Sequence, residues 1–471
     1  MSVRNWDDVC EKVVVNNLCI GCGLCASICP HNNLRIEFNE LGEYIALKQG
    51  EKCPDSCKLC LKVCPFAAED QDEDTLGNEL FSNVSGMKHT PETGYYLDSL
   101  IGYSTIGGHR ENGASGGMAT WMLETLLKEN MVDYVACVSP TQEAGRLFKY
   151  VLVSEPEQVR SCSRSCYYPV EMSEVIKHIL SNEGRYAIIG LPCFCKAIRL
   201  AMQLSPKLRG RVKFVLGLTC GQTKSKSFAE YICALGGGDP DCLRQFTFRI
   251  KDSGRPAADF GMKSVCRAGT KQVYENVVFW TEGIAPIWCN RYFTLNSCNF
   301  CDDLFAEVAD VCFMDAWLPE YSSDWRGHSI VLVRSERLWS LFKSSVEEGS
   351  LFLKNSNIRD VILSQQGGLN IKRGEMRERY HLAKKAGQLV PKKRIHLCHS
   401  RVSFGRKRVV KMTWIISEKS GKEWILAKKQ LPDFHTRFEP YIIHFRRAEL
   451  FDRVSRVPKG IVRRLRRVLR V

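Results

Sequence analysis

Short apolar runs rich in β-branched residues alternate with amphipathic helical stretches between residues 95 and 333. This alternation is typical of an α/β sheet whose strands are joined by crossover helices. The runs predict strands at 132–138, 185–190, 212–218, 308–314 and 329–333. The amphipathic stretches predict helices from about residue 116 to 128 and from 172 to 180. This part of the chain is therefore expected to be an α/β domain with a mixed, mostly parallel sheet.

The first eighty residues follow a different pattern, because they are dense in cysteine and end in an acidic connector at 67–80. They predict an α+β ferredoxin-like module. After residue 375 the apolar pattern weakens and arginine accumulates. A chain of 471 residues exceeds what one hydrophobic core usually supports. Three domains are expected: the ferredoxin-like module at 1–80, the α/β domain at 90–375 and a basic C-terminal extension at 376–471.

The composition bears on where the chain is located. It contains 23 cysteines, but its first residues lack the apolar segment of a secretory signal, so a reducing compartment is expected. The thiols are then metal ligands or buried packing residues rather than disulfides. No run of about eighteen apolar residues occurs, which argues against a transmembrane helix. The expected location is the cytoplasm.

The net charge of +15 is concentrated towards the C-terminus. Residues 455–471 contain seven Lys or Arg and no acidic residue, and their apolar and basic positions fall on opposite sides of a helical wheel. One interpretation is an interfacial helix that makes peripheral contact with anionic lipid at the inner membrane face. The other is a solvated tail. No nucleic-acid partner is expected, because no nucleic-acid-binding motif accompanies the charge.

Two cysteine runs near the N-terminus have the spacing of iron–sulfur ligands. The first is C-x2-C-x2-C-x3-C-P, and the second repeats it with one extra residue in its first gap. Three cysteines of each run bind one cubane and the fourth binds the other. Cluster one is expected on Cys19, Cys22, Cys25 and Cys64, and cluster two on Cys29, Cys53, Cys57 and Cys60. The alternative, a pair of zinc sites, suits C-x2-C pairs but gives no role to two Cys-Pro runs.

A turn of small residues, 111–117, leads directly into the helix predicted from residue 116. Backbone N–H groups at such a helix start can approach an anion or an electron-rich ring edge. By itself this pattern favours an ordinary glycine turn, but cysteines occur at comparable places. Cys193 and Cys220 end two predicted strands, and the pair Cys298 and Cys301 precedes a third.

Strand ends on the carboxyl side of a parallel sheet converge on one crevice. Cys193, Cys220, Cys298 and Cys301 are therefore expected to bind a third [4Fe–4S] cluster. Cys195 and Cys289 lie near them in sequence and are alternative ligands. Other cysteines are interpreted as small buried hydrophobic residues, namely Cys10, Cys137, Cys233, Cys242, Cys266, Cys312 and Cys398.

Four stretches taken together, at 110–117, 190–193, 218–221 and 298–317, carry a family resemblance. They read R-E-N-G-A-S-G-G, G-L-P-C, L-T-C-G and C-N-F-C-D-D-x6-D-V-x3-D-A-W. This combination resembles the beta subunit of the coenzyme F-420 hydrogenases and dehydrogenases, over about residues 95 to 370. An N-terminal ferredoxin module is a known fusion in that family.

The resemblance implies FAD, a [4Fe–4S] cluster beside it, and hydride exchange between the flavin N5 and a substrate such as the deazaflavin coenzyme F-420. On the family's pattern the flavin would be held by Asn112, Ser115, Gly116 and Gly117, and the cluster by the four cysteines named above. Asp310 and Asp315 match the family's Asp-rich stretch and are expected near the site. Where relatives usually read Ser-Lys-Tyr, this chain has Cys166 between Ser165 and Tyr167.

Two function hypotheses follow. The first is an iron–sulfur flavoprotein oxidoreductase that passes electrons between a hydride-exchanging small molecule and ferredoxin-type clusters, with a redox protein or ferredoxin as partner. Its substrate is coenzyme F-420 or, in a ferredoxin-fed reductase, another organic molecule. Because a hydride carries two electrons and a cubane passes one, FAD is the expected junction. The second is a non-catalytic electron-transfer subunit that docks on a separate enzyme. No catalytic acid or base is identified, and His109 beside the turn is interpreted as structural.

Overall fold

Two antiparallel strands and three short helices form the N-terminal module in the computed structural model, which describes residues 8–50, 53–54, 56–68, 70–268, 272–394 and 402–456. The elements are α1 (Leu24–Ser27), β1 (Leu34–Phe38), β2 (Tyr44–Lys48), α2 (Leu59–Lys62) and α3 (Glu73–Phe81). Helices α1 and α2 each begin inside one of the two cysteine runs. The predicted α+β module is confirmed.

An eight-stranded mixed sheet organises the central domain. The strands after the module are β3 (Lys88–Thr90), β4 (Gly94–Tyr96), β5 (Asp98–Ser104), β6 (Tyr134–Pro140), β7 (Phe148–Val153), β8 (Tyr186–Gly190), β9 (Val212–Leu218), β10 (Leu243–Ile250), β11 (Gly261–Ala268), β12 (Gln272–Phe279), β13 (Val311–Asp315), β14 (Ser329–Val333) and β15 (Leu351–Asn355). The spatial order is β15-β5-β14-β13-β9-β8-β6-β7. The four neighbours β13, β9, β8 and β6 run parallel, and the strands outside them pair antiparallel.

Helices cover both faces of this sheet. The helices after the N-terminal module are α4 (His109–Asn112), α5 (Met118–Lys128), α6 (Ser173–Ser181), α7 (Pro192–Leu204), α8 (Pro206–Arg211), α9 (Ser227–Leu235), α10 (Ile284–Cys289), α11 (Pro319–Ser322), α12 (Glu336–Glu347), α13 (Ile358–Ser364), α14 (Gln366–Leu369), α15 (Met376–Lys385), α16 (Phe404–Leu426) and α17 (Leu431–Arg456). Ile188 of β8 packs in the core that contains α6 and α7, whereas Ile189 packs in the core that contains α5 and α12. Burial on both faces explains why the central strands are continuous apolar runs.

The predicted strands at 212–218 and 329–333 coincide with β9 and β14. The strand predicted at 308–314 begins later, at Val311, because residues before it form a turn in which Ala306 has a φ of 47°. The helix predicted from residue 116 begins at Met118, since Gly117 adopts a left-handed conformation with a φ of 77°. The separate antiparallel sheet of β10, β11 and β12 was not predicted.

The N-terminal module is packed against the central domain rather than tethered beside it. Leu24 and Cys25 share one hydrophobic core with Phe194 and Ile198 of α7. The backbone N–H of Met172 donates to the carbonyl of Cys22 at 3.1 Å. The loop that carries the first cysteine run is therefore fixed directly on α6 and α7.

Helices α16 and α17 form an antiparallel hairpin that packs against α9 and the β10–β12 sheet. Trp424 and Phe434 are buried there, with Phe434 and His435 both in ring contact with Tyr231 of α9. The basic segment 457–471 lies outside the described residues, and so does Cys398. Within the described ranges, no helix combines the length and the apolar composition that a membrane span requires.

Candidate cofactor and cluster sites

The first cysteine quartet is assembled by the loop before α1 and the end of α2. Its members are Cys19, Cys22, Cys25 and Cys64, with Cys25 within electrostatic range of the other three. Burial raises the pKa of each thiol, to about 12 for Cys64, so that the free side chains stay protonated at neutral pH. The structure thus brings together the four residues that were expected to bind cluster one.

Gly21 shapes the loop around this quartet. Its φ is 66°, and a Cβ at this position would lie 2.4 Å from the Cβ of Tyr44. Its backbone N–H donates to the Cys19 sulfur at 3.4 Å. Glycine is therefore required both for the left-handed backbone and for the close approach of β2.

The second quartet surrounds a cavity of about 190 Å³. The cysteines on its wall are Cys29, Cys53, Cys57 and Cys60, the set expected for cluster two. Asn33 donates its backbone N–H to the Cys29 sulfur and its side-chain amide to the Cys53 sulfur, both at 3.4 Å. Hydrogen bonds to cluster sulfurs are one means by which a protein sets a cluster's reduction potential.

The third quartet meets beside the carboxyl ends of the central strands. Cys193 is the second residue of α7, Cys220 follows β9, and Cys298 lies in a short helical turn, Asn296–Asn299. Cys193 lies within electrostatic range of Cys220, Cys298 and Cys301. The convergence expected from the strand ends is therefore present in the structure.

The two alternative ligands of this quartet lie elsewhere. Cys195 is fully buried, and its thiol donates to the carbonyls of Gly190 and Leu216 at 3.5 and 3.6 Å. Cys289 is exposed at the end of α10. Neither is among the charged neighbours of Cys193 or Cys220.

Buried cations surround the third quartet without matching carboxylates. Lys372 donates to the Cys301 sulfur at 2.9 Å and to the Asp303 carbonyl at 2.7 Å. Lys224 donates to the Tyr292 carbonyl at 2.7 Å, and both lysines are buried. Arg291 is also buried, with its Nε left without a hydrogen-bond acceptor. Among the described residues none of these three basic side chains has an ion pair. Burial lowers the pKa of Lys224 well below its usual range, because unpaired buried charge is costly. An anionic group such as a thiolate-ligated cluster would compensate them.

A single metal ion would need its ligating side chains to lie closer to one another than the cysteines of a quartet do. Across the described part of the chain, no three His, Cys, Asp or Glu side chains are grouped tightly enough to bind one ion. The thiolates of a cubane are spread around four iron atoms, so their spacing is wider.

A larger cavity, of about 550 Å³, lies next to the third quartet. Cys220 lines it on one side, and the small-residue turn from Gly113 to Met118 lines it on another. Ile20 and Tyr44 of the N-terminal module close a third side. Much of the remaining wall is aromatic, formed by Tyr167, Phe260, Trp280, Trp288 and Trp317.

The turn before α5 is held by the sheet. The Ser115 hydroxyl donates to the carbonyl of His328, and the N–H of Gly116 donates to the Ser329 hydroxyl at 3.0 Å. Ser115 and Gly117 line the cavity, whereas Asn112 and Gly116 do not. A Cβ at Gly116 would lie 2.5 Å from the Gly102 carbonyl oxygen, so this glycine is required for packing against β5.

A group of cations, missed by the sequence analysis, lies around this turn. Arg249 is buried on the cavity wall, and its Nη2 donates to Asp315 at 2.5 Å and to the Ala114 carbonyl at 2.7 Å. Its Nε has no acceptor. Arg164 also lines the cavity, and Lys251 donates to the Ser115 carbonyl at 2.8 Å. Burial, and then the charge of Arg249, lowers the pKa of Lys251 to about 7.

The two aspartates expected near the site have different positions. Asp315 lines the cavity. Asp310 instead forms a buried pair with Arg199 at 2.9 Å and accepts the Val215 N–H at 2.7 Å, so it fixes β9 to the segment before β13. His109 is likewise structural, because it is buried between Ser104 at 3.0 Å and Glu124 at 2.8 Å.

Comparison with known proteins identifies the family. A model of the N-terminal part of the coenzyme F-420 hydrogenase/dehydrogenase beta subunit matches residues 100–177, and a model of its C terminus matches residues 183–358. The chain belongs to the coenzyme F-420 hydrogenase/dehydrogenase beta-subunit family. A 4Fe–4S dicluster domain matches residues 18–68, so this member of the family carries an N-terminal iron–sulfur domain.

Three curated relatives are similar to parts of this family member. One subunit of the F(420)H(2) dehydrogenase of Methanosarcina mazei is 20% identical over 218 residues, which is 44% of this chain and 55% of that protein. An uncharacterised protein of Methanocaldococcus jannaschii is 20% identical over 238 residues, 47% of this chain and 64% of that protein. A ferredoxin of Pyrobaculum islandicum is 37% identical over 59 residues, 12% of this chain and 50% of that protein. The matches thus span less than two thirds of each relative.

One solved structure is also similar. It is a chain from the xenon derivatization of the F-420-reducing [NiFe] hydrogenase complex of Methanosarcina barkeri, with a TM-score of 0.46 and 18% identity. The match covers 62% of this chain and 96% of that chain.

Contacts link the segments that carry the three quartets of this family member. Cys60 of the second quartet lies within electrostatic range of Cys25 in the first. The side-chain amide of Asn296 donates to the Asn17 carbonyl at 3.1 Å, which joins the loops that carry Cys298 and Cys19. The first quartet thus has a neighbour in each of the other two segments.

Proposed function

We propose that this chain is an iron–sulfur flavoprotein oxidoreductase that passes electrons between an organic hydride donor or acceptor and ferredoxin-type clusters through FAD. The observation that carries the proposal is the wall of the 550 Å³ cavity. One space is bordered by the small-residue turn, by Cys220 of the third quartet and by Ile20 of the first-quartet loop. A cofactor in that space would contact both the third quartet and the loop that carries the first quartet.

The residues present fit FAD. Arg249 and Arg164 place guanidinium groups at the cavity beside the start of α5. Cations and a helix N-terminus are the usual partners of a pyrophosphate. The orphaned Nε of Arg249 offers one further donor. The aromatic wall can pack against a flat ring system and exclude water from it. When bound, FAD supplies a centre that accepts two electrons together and releases them singly.

The three cysteine quartets would hold three [4Fe–4S] clusters. Lys372, Lys224 and Arg291 would offset the negative charge of the cluster at the third quartet, and the hydrogen bonds from Asn33 would orient two thiolates of the second. The contacts between the segments of the quartets favour single-electron transfer from the cavity to the third quartet, the first and then the second. The half-exposed second quartet would be the contact point for a redox partner protein or ferredoxin.

Coenzyme F-420 is the small-molecule substrate that the family favours. Relatives usually have lysine where this chain has Cys166, which is half-buried on the cavity wall and offers no positive charge. Arg164, two residues earlier, would take over recognition of an anionic substrate in this chain. Another organic hydride carrier is the alternative that a donor screen would reveal.

Anaerobic purification with quantification of iron, sulfide and extracted flavin tests the proposal. The expected result is FAD together with the iron of three clusters, and bleaching of the flavin band by reduced F-420 or another hydride donor. A chain that carries clusters but neither contains nor takes up flavin would contradict it. Turnover of a donor by the isolated chain would distinguish an enzyme from a docking subunit.

A further inference from the structure

The end of the α16–α17 hairpin opposite its turn, where α16 begins and α17 ends, exposes large apolar side chains. Phe404, Leu450, Phe451 and Val454 are 66%, 63%, 39% and 59% exposed. Three basic residues on the same helix faces accompany them, and we call the seven residues the hairpin tip: Phe404, Arg408, Lys411, Arg447, Leu450, Phe451 and Val454. Their spacing of three and four residues along each helix places them on one surface.

The hairpin tip is an ordered surface. The rings of Phe404 and Phe451 meet edge to face at 5.9 Å, and the Arg408 guanidinium lies 5.0 and 4.4 Å from their centres. Behind them the buried Asp452 accepts the Ser403 hydroxyl at 3.1 Å. A Cβ at Gly405 would lie 2.6 Å from the Asp452 Cα, so the two helices cross closely at this point. The apolar side chains are therefore held in water by the fold itself.

Positive charge predominates around the tip, although Glu449 and the buried Asp452 lie on the same stretch of α17. Within the described ranges, Arg408, Lys411 and Arg447 form no ion pair. The sequence has no acidic residue at 403–417 or after residue 452. The sequence of 457–471 adds six further Lys or Arg. The surface thus combines apolar side chains with unneutralised positive charge.

We propose that the hairpin tip binds the surface of an anionic lipid bilayer. Phosphate-bearing headgroups would pair with Arg408, Lys411 and Arg447, while the four apolar side chains would enter the boundary of the acyl region. A nucleic acid would satisfy the charges but leave Leu450 and Val454 in water. A protein partner usually places its charges at the rim of an apolar centre, whereas here the Arg408 guanidinium lies over the rings of Phe404 and Phe451, inside the apolar group. The proposal goes beyond the redox function, because it states where the chain works.

Flotation of the full-length, anaerobically prepared protein with lipid vesicles tests this inference. The protein should float with phosphatidylcholine vesicles that contain phosphatidylglycerol, should not float with phosphatidylcholine alone, and should be released by salt. The double substitution Leu450→Ser with Val454→Ser should weaken binding about tenfold or more, since two exposed aliphatic side chains lose their burial in lipid. Arg408→Gln should weaken it and reduce its salt dependence.

Two control variants keep the test specific. Val346→Ser, at an α12 position that is 39% exposed, removes an exposed apolar side chain elsewhere and should leave flotation unchanged. Neutralising the tail with Arg463→Gln, Arg464→Gln, Arg466→Gln and Arg467→Gln measures what the terminal segment contributes. Flotation that depends only on the tail, with the tip variants behaving as wild type, would overturn the proposal. So would tighter binding to duplex DNA than to the vesicles, or vesicle-independent self-association that the Leu450 and Val454 variant abolishes.

Discussion

Lys372 holds its ammonium group 2.9 Å from the sulfur of Cys301 and is buried there. A positive charge at that distance favours an added electron on a cluster bound by Cys301. At an effective dielectric of about 20, a unit charge a few ångströms away changes the reduction potential by on the order of 100 mV. Lys372→Met should therefore lower the potential of the third cluster, which an anaerobic redox titration followed by electron paramagnetic resonance can measure. Lys343→Met, on α12, is the matched substitution and should leave that potential unchanged.

A substitution at Cys298 tests the proposed third cluster independently of the N-terminal pair. Cys298→Ser should remove the iron of one cluster and leave that of the other two, because the quartets share no residue. Reduction of the flavin by a hydride donor should persist, while transfer onward to the N-terminal clusters should fall at least about a hundredfold. Cys195→Ser and Cys289→Ser should keep the full iron content, since neither side chain lies with the quartet. Full iron in the Cys298 variant, with normal electron transfer, would exclude a cluster at this position.

Lys251, which holds the turn before α5, is expected to make binding of the proposed cofactor depend on pH. Its pKa is lowered by burial to about 7, so the free protein loses this charge as the pH rises above neutrality. A phosphate-bearing ligand favours the charged form, and its affinity should fall by up to tenfold for each pH unit above about 7, until the pKa of the complex is reached. Without ligand, the free energy of unfolding has the opposite pH dependence. Between about pH 7 and 10.5 the folded chain loses the Lys251 proton while the unfolded chain keeps it, so the free energy of unfolding rises with pH.

Titration of the flavin-free protein with FAD between pH 6 and 9 measures this dependence. Lys251→Met should remove most of it. Lys263→Met, on the exposed side of β11, should retain the wild-type profile. An identical profile in the Lys251 variant would show that another group titrates.

At the scale of elements, the turn before α5 is set by its contact with the sheet. Gly116→Val would place a side chain 2.5 Å from the Gly102 carbonyl oxygen and 2.8 Å from the Ser329 nitrogen. We expect it to cost about 2 kcal/mol or more of stability and to abolish FAD binding with it, because the turn must shift. Gly107 lies just before α4 with no heavy atom near its Cβ position, so Gly107→Ala should change neither property. Thermal unfolding and flavin content measure the two effects.

The elements that could be predicted are those with a strong local signal. Strands such as β9 and β14 are mostly apolar runs because both faces are covered, and the cysteine quartets follow from spacing and from convergence at strand ends. The β10 strand was not predicted. Its sequence, L-R-Q-F-T-F-R-I, alternates apolar and polar residues only in part, and it lacks the continuous apolar run that indicated the other strands. Arg164, Arg249 and Lys251 have no local pattern at all. Only the tertiary fold brings them to one turn, so their role could not be inferred from position in the sequence.

At the scale of the whole molecule, the N-terminal module depends on the domain beneath it. Leu24 and Cys25 are buried against α7, and the Asn17 carbonyl is hydrogen-bonded to Asn296. Residues 1–80 expressed alone under anaerobic conditions should still bind the iron of two clusters, since all eight cysteines of the first two quartets lie in that segment. The isolated module should unfold at lower denaturant concentration than in the full chain, because its α1 face becomes exposed to water. Recovery of stoichiometric zinc without iron from iron-replete cells would contradict the cluster assignment.

The quartets also differ in how far they are from the surface. Cys298 and Cys301 of the third quartet and Cys22 and Cys25 of the first are buried, whereas Cys29, Cys53, Cys57 and Cys60 are all half-exposed around a cavity. Oxygen would therefore reach the second quartet more readily than the other two. A sample that ages in air would then lose the cluster of the second quartet first. On the proposed electron route, it could no longer pass electrons to a partner protein while it could still accept them from a small molecule. Such a preparation would still oxidise its donor, but it would pass the electrons to oxygen instead of to a protein acceptor.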